Sequence, residues 1–241
     1  LMVEAVVRPG STGHSHGGGE APIQTRSERI RSANVAEHSE VTRRDEQWRY
    51  LDAERLAGLD KNKLNNIAEQ IKVSTSAGVS HELVTAQDGS FGKAGLPEDK
   101  PSANAWAAAT KALKLSISGE VSEPAFINID SPGHNSAAHL IVESATHSRA
   151  TVVIDHTGSG TFGEIVEIIV GDESALTIVS IQDWSDDAVH TSAQFARLGR
   201  NSKLKHVVIS LGGKTVRVTP NAEFTGPGGD VELLGMYFAD S

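Results

Sequence analysis

The chain has 241 residues, 38% of them hydrophobic and 5% aromatic, with 22 basic side chains against 31 acidic ones and no cysteine. That apolar share supports a packed core and excludes wholesale disorder, and a net charge of −9 without any cluster of Lys and Arg argues against a nucleic-acid-binding face. The lack of cysteine excludes disulfides, thiolate nucleophiles, and zinc or iron–sulfur clusters held by this chain's own thiolates.

Residues 1–26 read as a disordered tail. Pro9, Gly10, Gly13, Gly17, Gly18, Gly19 and Pro22 break any period, and His14 and His16 lie in a Gly/His-rich tract. No apolar run reaches the ~18 residues of a membrane span. Residues 1–10 are too short and too weakly apolar for a secretory signal, so the expected location is cytoplasmic. Residues 27–114 form a helical and mixed region. Its first part, 27–63, reads as helical in pieces, with charged stretches such as Arg43 to Gln47 ahead of Trp48. The alanine-rich run 102–113 is the clearest helix, with Ser102 as its expected N-cap after Pro101.

From Leu115 short β-branched runs follow one another, at 115–117, 126–129, 140–142, 151–154, 165–170, 176–180, 204–210, 215–218 and 231–234. Gly, Pro, Asn, Asp or Ser lies between nearly every pair. Only 187–198 reads as a turn or two of helix. The half also repeats. Ser148, Ser174, Ser202 and Gly229 each open a similar pattern of apolar and polar positions, and the starts advance by roughly 27 residues at each step. Two strand-length runs per repeat cannot bury both faces alone, so successive units stack. The expected fold is mainly β: a parallel β-helix of about 27 residues per turn over 115–241.

Several motifs suggest chemistry. Gly158, Gly160 and Gly163 match a dinucleotide fingerprint formally, but a β-branched strand follows where the fingerprint needs a helix, so a turn is expected. Gly212-Gly213-Lys214-Thr215 lacks the earlier glycine of a phosphate loop, because that position is Val208. Asp183, Asp186, Asp187 and His190 form the densest metal-ligand cluster, and carboxylates with an imidazole suit iron, manganese or magnesium. The plainer reading is a solvated turn. His134, His139, His147, His156 and His206 are scattered over the β half, where stacked turns could bring some together. No nucleophile–base–acid set appears.

Three segments resemble the SufD proteins of the SufB/SufD family in iron–sulfur cluster assembly, in their actinobacterial form. One is Ser27-Glu-Arg-Ile with Asp45-Glu-Gln-Trp-Arg-Tyr50 and Arg55-Leu-Ala-Gly-Leu59. Another is Gln182-Asp-Trp-Ser-Asp-Asp-Ala-Val-His190 with Ala196-Arg-Leu-Gly-Arg200. The last is Gly226-Pro-Gly-Gly-Asp230 leading to Glu232 through Asp240. The resemblance implies a right-handed parallel β-helix and a non-catalytic subunit that pairs with SufB and the ATPase SufC. It implies no cofactor held by this chain alone; the cluster is associated with the full complex. It marks Gln182 and Trp184 as candidates for an interior path, although that path's thiolates are missing here. Family members continue past the point where this chain stops, with further turns and a C-terminal helical domain. The expectation is therefore a shortened chain that lacks the ATPase-docking helices and self-associates, most simply as a homodimer, through an uncovered last turn. Two other readings are a polysaccharide-active β-helix enzyme built on the 183–190 cluster, and a passive structural solenoid.

Overall fold

The computed structural model describes residues 29–133 and 135–238. In chain order its strands are β1 (Asn65–Asn66), β2 (Lys72–Ser74), β3 (Val79–Val84), β4 (Ala112–Ile117), β5 (Ala125–Pro132), β6 (Ser136–Ser144) and β7 (Arg149–Ser159). They continue as β8 (Thr161–Val170), β9 (Ala175–Gln182), β10 (Val189–Leu198), β11 (Lys203–Ser210), β12 (Thr215–Phe224) and β13 (Asp230–Tyr237). The even-numbered strands from β4 to β12 run parallel in one sheet, closed at its start by antiparallel β3. The odd-numbered strands from β5 to β13 run parallel in the other, started by antiparallel β2. The chain alternates between the sheets at each turn, which makes a parallel β-solenoid of about five turns.

The register reproduces the repeat found in the sequence. Ala125 pairs with Val152, Val152 with Ile178, Ile178 with His206 and His206 with Leu233, each one repeat length further along the chain. Parallel strands evenly stacked this way put like positions in columns, so one inward residue per strand repeats through the interior. Leu115, Ile127, Leu140, Ile154, Val166, Ile178 and Leu198 fill that interior.

The central strands of the even sheet, β6, β8 and β10, are buried on both faces. Its outer side is covered by residues 29–111, which place Trp48, Leu56, Leu59, Leu64 and Ala105 against Ala137, Ile141, Ile165, Ile169 and Phe195. Covering both faces explains why β8 reads as a nearly continuous apolar run rather than an alternating one. Gly163 lets the cover approach: a Cβ there would lie 3.1 Å from the Ala105 methyl group and 3.3 Å from Leu64 Cδ1. Gly160, at φ +78°, makes the β7–β8 corner, where a Cβ would collide with the Gly133 carbonyl of the turn below. The glycines of the dinucleotide-like motif thus serve a corner and a packing contact.

Three local expectations are corrected. The 27–63 stretch, where described, makes only short 3₁₀ turns at Val35–Glu37, Glu46–Trp48 and Ala53–Leu56. Helix α1 spans Lys100–Ala108, not 102–113. Asp99 is its N-cap in a reciprocal capping box with Ser102, and from Ala112 the chain is drawn into β4 between β3 and β6. The 187–198 stretch is strand β10, not helix, because β8 and β12 bond it on both sides and His190, Ser192, Gln194, Ala196 and Leu198 alternate inward. The tail with His14 and His16, and His134, lie outside the described residues.

Candidate functional site

Three ionisable side chains meet inside the solenoid: His156 from β7, Glu164 from β8 and His190 from β10. Stacking explains the convergence. His190 lies one turn above Phe162 in the even sheet, Ser192 lies above Glu164, and Gln182 lies above His156 in the odd sheet. All three ionisable residues are wholly buried.

The contacts define the proton positions. His190 Nδ1 lies 3.0 Å from the Phe162 carbonyl oxygen, which only accepts, so Nδ1–H donates and Nε2 keeps its lone pair. That Nε2 has no hydrogen-bond partner and lies 3.8 Å from Glu164 Oε2. His156 Nδ1 similarly lies 2.9 Å from the Ile181 carbonyl oxygen, while its Nε2 lies 2.9 Å from Glu164 Oε1. Ser192 Oγ donates to Glu164 Oε2 at 2.6 Å. Gln182 is oriented by Trp184, whose Nε1–H donates to Gln182 Oε1 at 2.7 Å. The Gln182 amide in turn donates to Ser180 Oγ at 2.9 Å and lies 3.2 Å from His156 Nδ1. Trp184 and Phe162 wall the cluster, with ring centroids 4.8 and 5.4 Å from that of His190.

Burial and charge work against each other here. Burial alone would lower the His156 pKa, but the neighbouring Glu164 carboxylate more than offsets it and raises the ring above its ordinary value. Burial would likewise raise Glu164, yet His156 first, then His190 and Ser192, hold it low. His190 is pushed down to about 4, mainly by burial. One ring therefore shares charge with the carboxylate while the other stays neutral beside it.

The structure brings His190, Gln182 and Trp184 to this cluster but leaves Asp183, Asp186 and Asp187 on an exposed turn. The four residues 183, 186, 187 and 190 therefore do not converge as one ligand set. His206 is buried two strands further on in the odd sheet, and His147 is exposed beside Glu173. Sequence reasoning misses Glu164 altogether and does not set His156 apart from the other histidines. The signal lies in the spacing: Glu164 and Ser192 are separated by 28 positions and His156 and Gln182 by 26, and both separations match the repeat.

A second buried pair lies on the opposite face of β8. His139 Nε2 and Glu167 Oε1 are 2.9 Å apart beneath the N-terminal cover, with the imidazole packed against both Phe91 and Trp106. Glu167 also accepts from the backbone N–H groups of Gly92, at 2.7 Å, and Ala94, at 2.8 Å. This carboxylate fastens the cover to the sheet.

Comparison with known proteins adds a family. Residues 126–241 match the family described as SUF system FeS cluster assembly, SufBD core domain. A Mycobacterium leprae protein named as an iron–sulfur cluster assembly SufBD family protein is 43% identical over 202 residues, covering 82% of this chain and 52% of its own length. Proteins of the same description from Mycobacterium bovis and from Mycobacterium tuberculosis H37Rv are each 41% identical over 202 residues, covering 82% of this chain and 51% of their own length. The chain spans about half the length of the curated relatives it matches. No solved structure gives a significant match.

Proposed function

Because the chain belongs to the SufBD family, we propose that it works in iron–sulfur cluster assembly as a SufD-like, non-catalytic scaffold subunit. In its full-length form it partners a SufB-type paralogue and a SufC-type ATPase. The observation that carries this reading is a SufBD core built without a single cysteine, since a scaffold that held the cluster itself would call on thiolates. Against an enzyme acting on polysaccharides, the exposed turn bearing Asp183, Asp186 and Asp187 is separated from the buried His190, so the proposed acid–base set has no shared cleft. Among the described residues no helix is long and apolar enough to cross a membrane.

Two further parts of the reading concern contacts and cofactors. Strand β13 forms the edge of the odd sheet and exposes Leu233, Leu234, Met236 and Tyr237, followed by Phe238. An exposed apolar edge favours pairing, and for this chain in isolation the pairing partner is a second copy. The iron–sulfur cluster belongs to the full complex, so this chain is colourless as purified. Visible absorbance of a cluster in anaerobically purified protein would contradict that.

Co-expression tests the partnership. The full-length protein is expected to co-purify with the SufB-type and SufC-type proteins. Failure of the full-length protein to retain the SufB-type protein overturns the reading. Sedimentation of this chain alone at tens of micromolar tests the pairing, and a clean monomer rejects it.

A further inference from the structure

We propose that His156, Glu164 and His190 form a binding site for one divalent first-row transition-metal ion in the interior of the solenoid. The inference rests on this chain's own side chains and stands whether or not the proposed partnership holds. It departs from the expectation that this chain alone binds no cofactor.

Three observations carry it. First, the donor atoms converge: one nitrogen from each ring and one carboxylate oxygen all lie within 4.8 Å of one another. With metal–nitrogen and metal–oxygen bonds of about 2.1 Å, tetrahedral ligands stand about 3.4 Å apart. The ring-to-carboxylate separations, 2.9 Å from His156 Nε2 to Glu164 Oε1 and 3.8 Å from His190 Nε2 to Oε2, lie near that value, so rotation of these side chains within the cluster seats an ion.

Second, the lone pairs face one another. Both Nδ1 atoms donate to backbone carbonyl oxygens, of Ile181 and Phe162, which leaves both Nε2 lone pairs pointed at an anionic carboxylate. A backbone carbonyl fixing Nδ1–H is the outer contact that orients an imidazole for metal binding through Nε2. A single proton between His156 and Glu164 relieves one of the two oppositions. The His190 Nε2 atom, wholly buried and without a hydrogen-bond partner, stays orphaned. A cation at the centre satisfies all three groups at once.

Third, the surroundings hold the ligands still. Ser192 Oγ binds the second carboxylate oxygen, and Phe162 stacks on His190 with an interplanar angle of 18°. Two imidazoles and one carboxylate, with positions left for other ligands, suit iron(II), cobalt(II) or zinc(II).

Cobalt(II) is the probe. The chain is expressed in medium supplemented with cobalt(II), so that the ion is available as the interior closes, and is then desalted. His14→Ala and His16→Ala are present throughout to remove tail binding. About one cobalt ion per chain is expected, with quenching of Trp184 fluorescence and an X-ray absorption spectrum showing two imidazole ligands. Glu164→Gln and His190→Phe each preserve shape and are expected to lower retained cobalt by roughly tenfold or more. Negligible cobalt in the folded parent protein overturns the proposal, and so does undiminished cobalt in the two variants. If either variant fails to fold by circular dichroism, the absorption spectrum of the parent protein decides: a shell of oxygens alone, or with one imidazole, overturns it.

Discussion

Strand β8 presents two buried glutamates on opposite faces, and their fates differ. Glu167, on the outer face, binds His139 and two backbone N–H groups of the N-terminal cover. Both of its oxygens accept from the cover's backbone, so it acts as a fastener between two layers. Glu164, on the inner face, is met by side chains instead: two imidazoles and one hydroxyl. The same residue type is structural where backbone donors of a second layer hold it and chemically poised where only side chains meet it. A carboxylate anchored by backbone donors has its geometry set by them. One opposed by ring lone pairs depends on what cation, proton or metal, lies between them.

The largest expected effect breaks the outer pair. Glu167→Ala leaves the N–H groups of Gly92 and Ala94 and the His139 ring without their acceptor in a dry layer, which costs about 3–5 kcal/mol. The urea midpoint should drop accordingly, with Trp106 fluorescence reporting loosening of the cover. Glu167→Gln keeps one acceptor oxygen and should cost less. A loss below about 1 kcal/mol for the alanine variant would mean that the cover is held by its apolar contacts alone.

A third buried imidazole sharpens the contrast by having no carboxylate at all. His206 stacks between Ile178 and Leu233, its Nε2 has no partner, and burial lowers its pKa to about 4. As pH falls below about 6.5 the unfolded chain takes up a proton at this position before the folded chain does. Stability contributed by the neutral ring is therefore lost from about pH 6.5 down to about 4, and the loss then levels off. Between pH 7.5 and 4.5 the wild-type protein should lose about 2–3 kcal/mol more than His206→Leu. Urea midpoints of both proteins at the two pH values measure it, and equal losses would reject the assignment.

A smaller effect is expected on the wall of the inner pair. Trp184→Phe removes the donor to Gln182 Oε1 and leaves that buried oxygen unpaired, at a cost of about 1–3 kcal/mol. It should also abolish the cobalt-dependent fluorescence quenching without abolishing cobalt retention, since Trp184 contributes no ligand. Loss of both together would mean that Trp184 positions the ligands, through its packing on His190 and its hydrogen bond to Gln182.

Much of this architecture is legible in the amino-acid sequence alone. Ser148, Ser174, Ser202 and Gly229 open successive repeats of nearly constant length, and that constancy points to a solenoid, because stacked parallel turns hold a constant register. Strand β10 is not legible: the polar, small residues at 187–192 mimic a helix start, and only its two neighbouring strands make it extended. The inner site is half legible. Gln182, Trp184 and His190 stand out in the sequence for other reasons. Glu164 and Glu167 are both polar breaks in one apolar run, and nothing local tells which faces in. That phase is set by the pairing of β8 with β6 and β10 and by the cover on its outer side.

The smallest expected effect concerns the residues that sequence density favours most. Asp183, Asp186 and Asp187 crowd a turn whose backbone is fixed from elsewhere: Asp183 N–H bonds the His156 carbonyl, Ser185 N–H bonds the Gly158 carbonyl, and Ala188 N–H bonds the Ser185 carbonyl. All three side chains are exposed, so their charges are hydrated and screened, and their repulsion is weak. The triple change to asparagine should move stability by no more than about 0.5 kcal/mol and leave cobalt retention intact. The residue that carries this segment into the interior is His190, and its contacts run to Phe162 and Glu164 rather than back to the aspartates. A loss of cobalt in the triple variant would relocate the ion to the surface turn and dismantle the contrast between the two faces of β8.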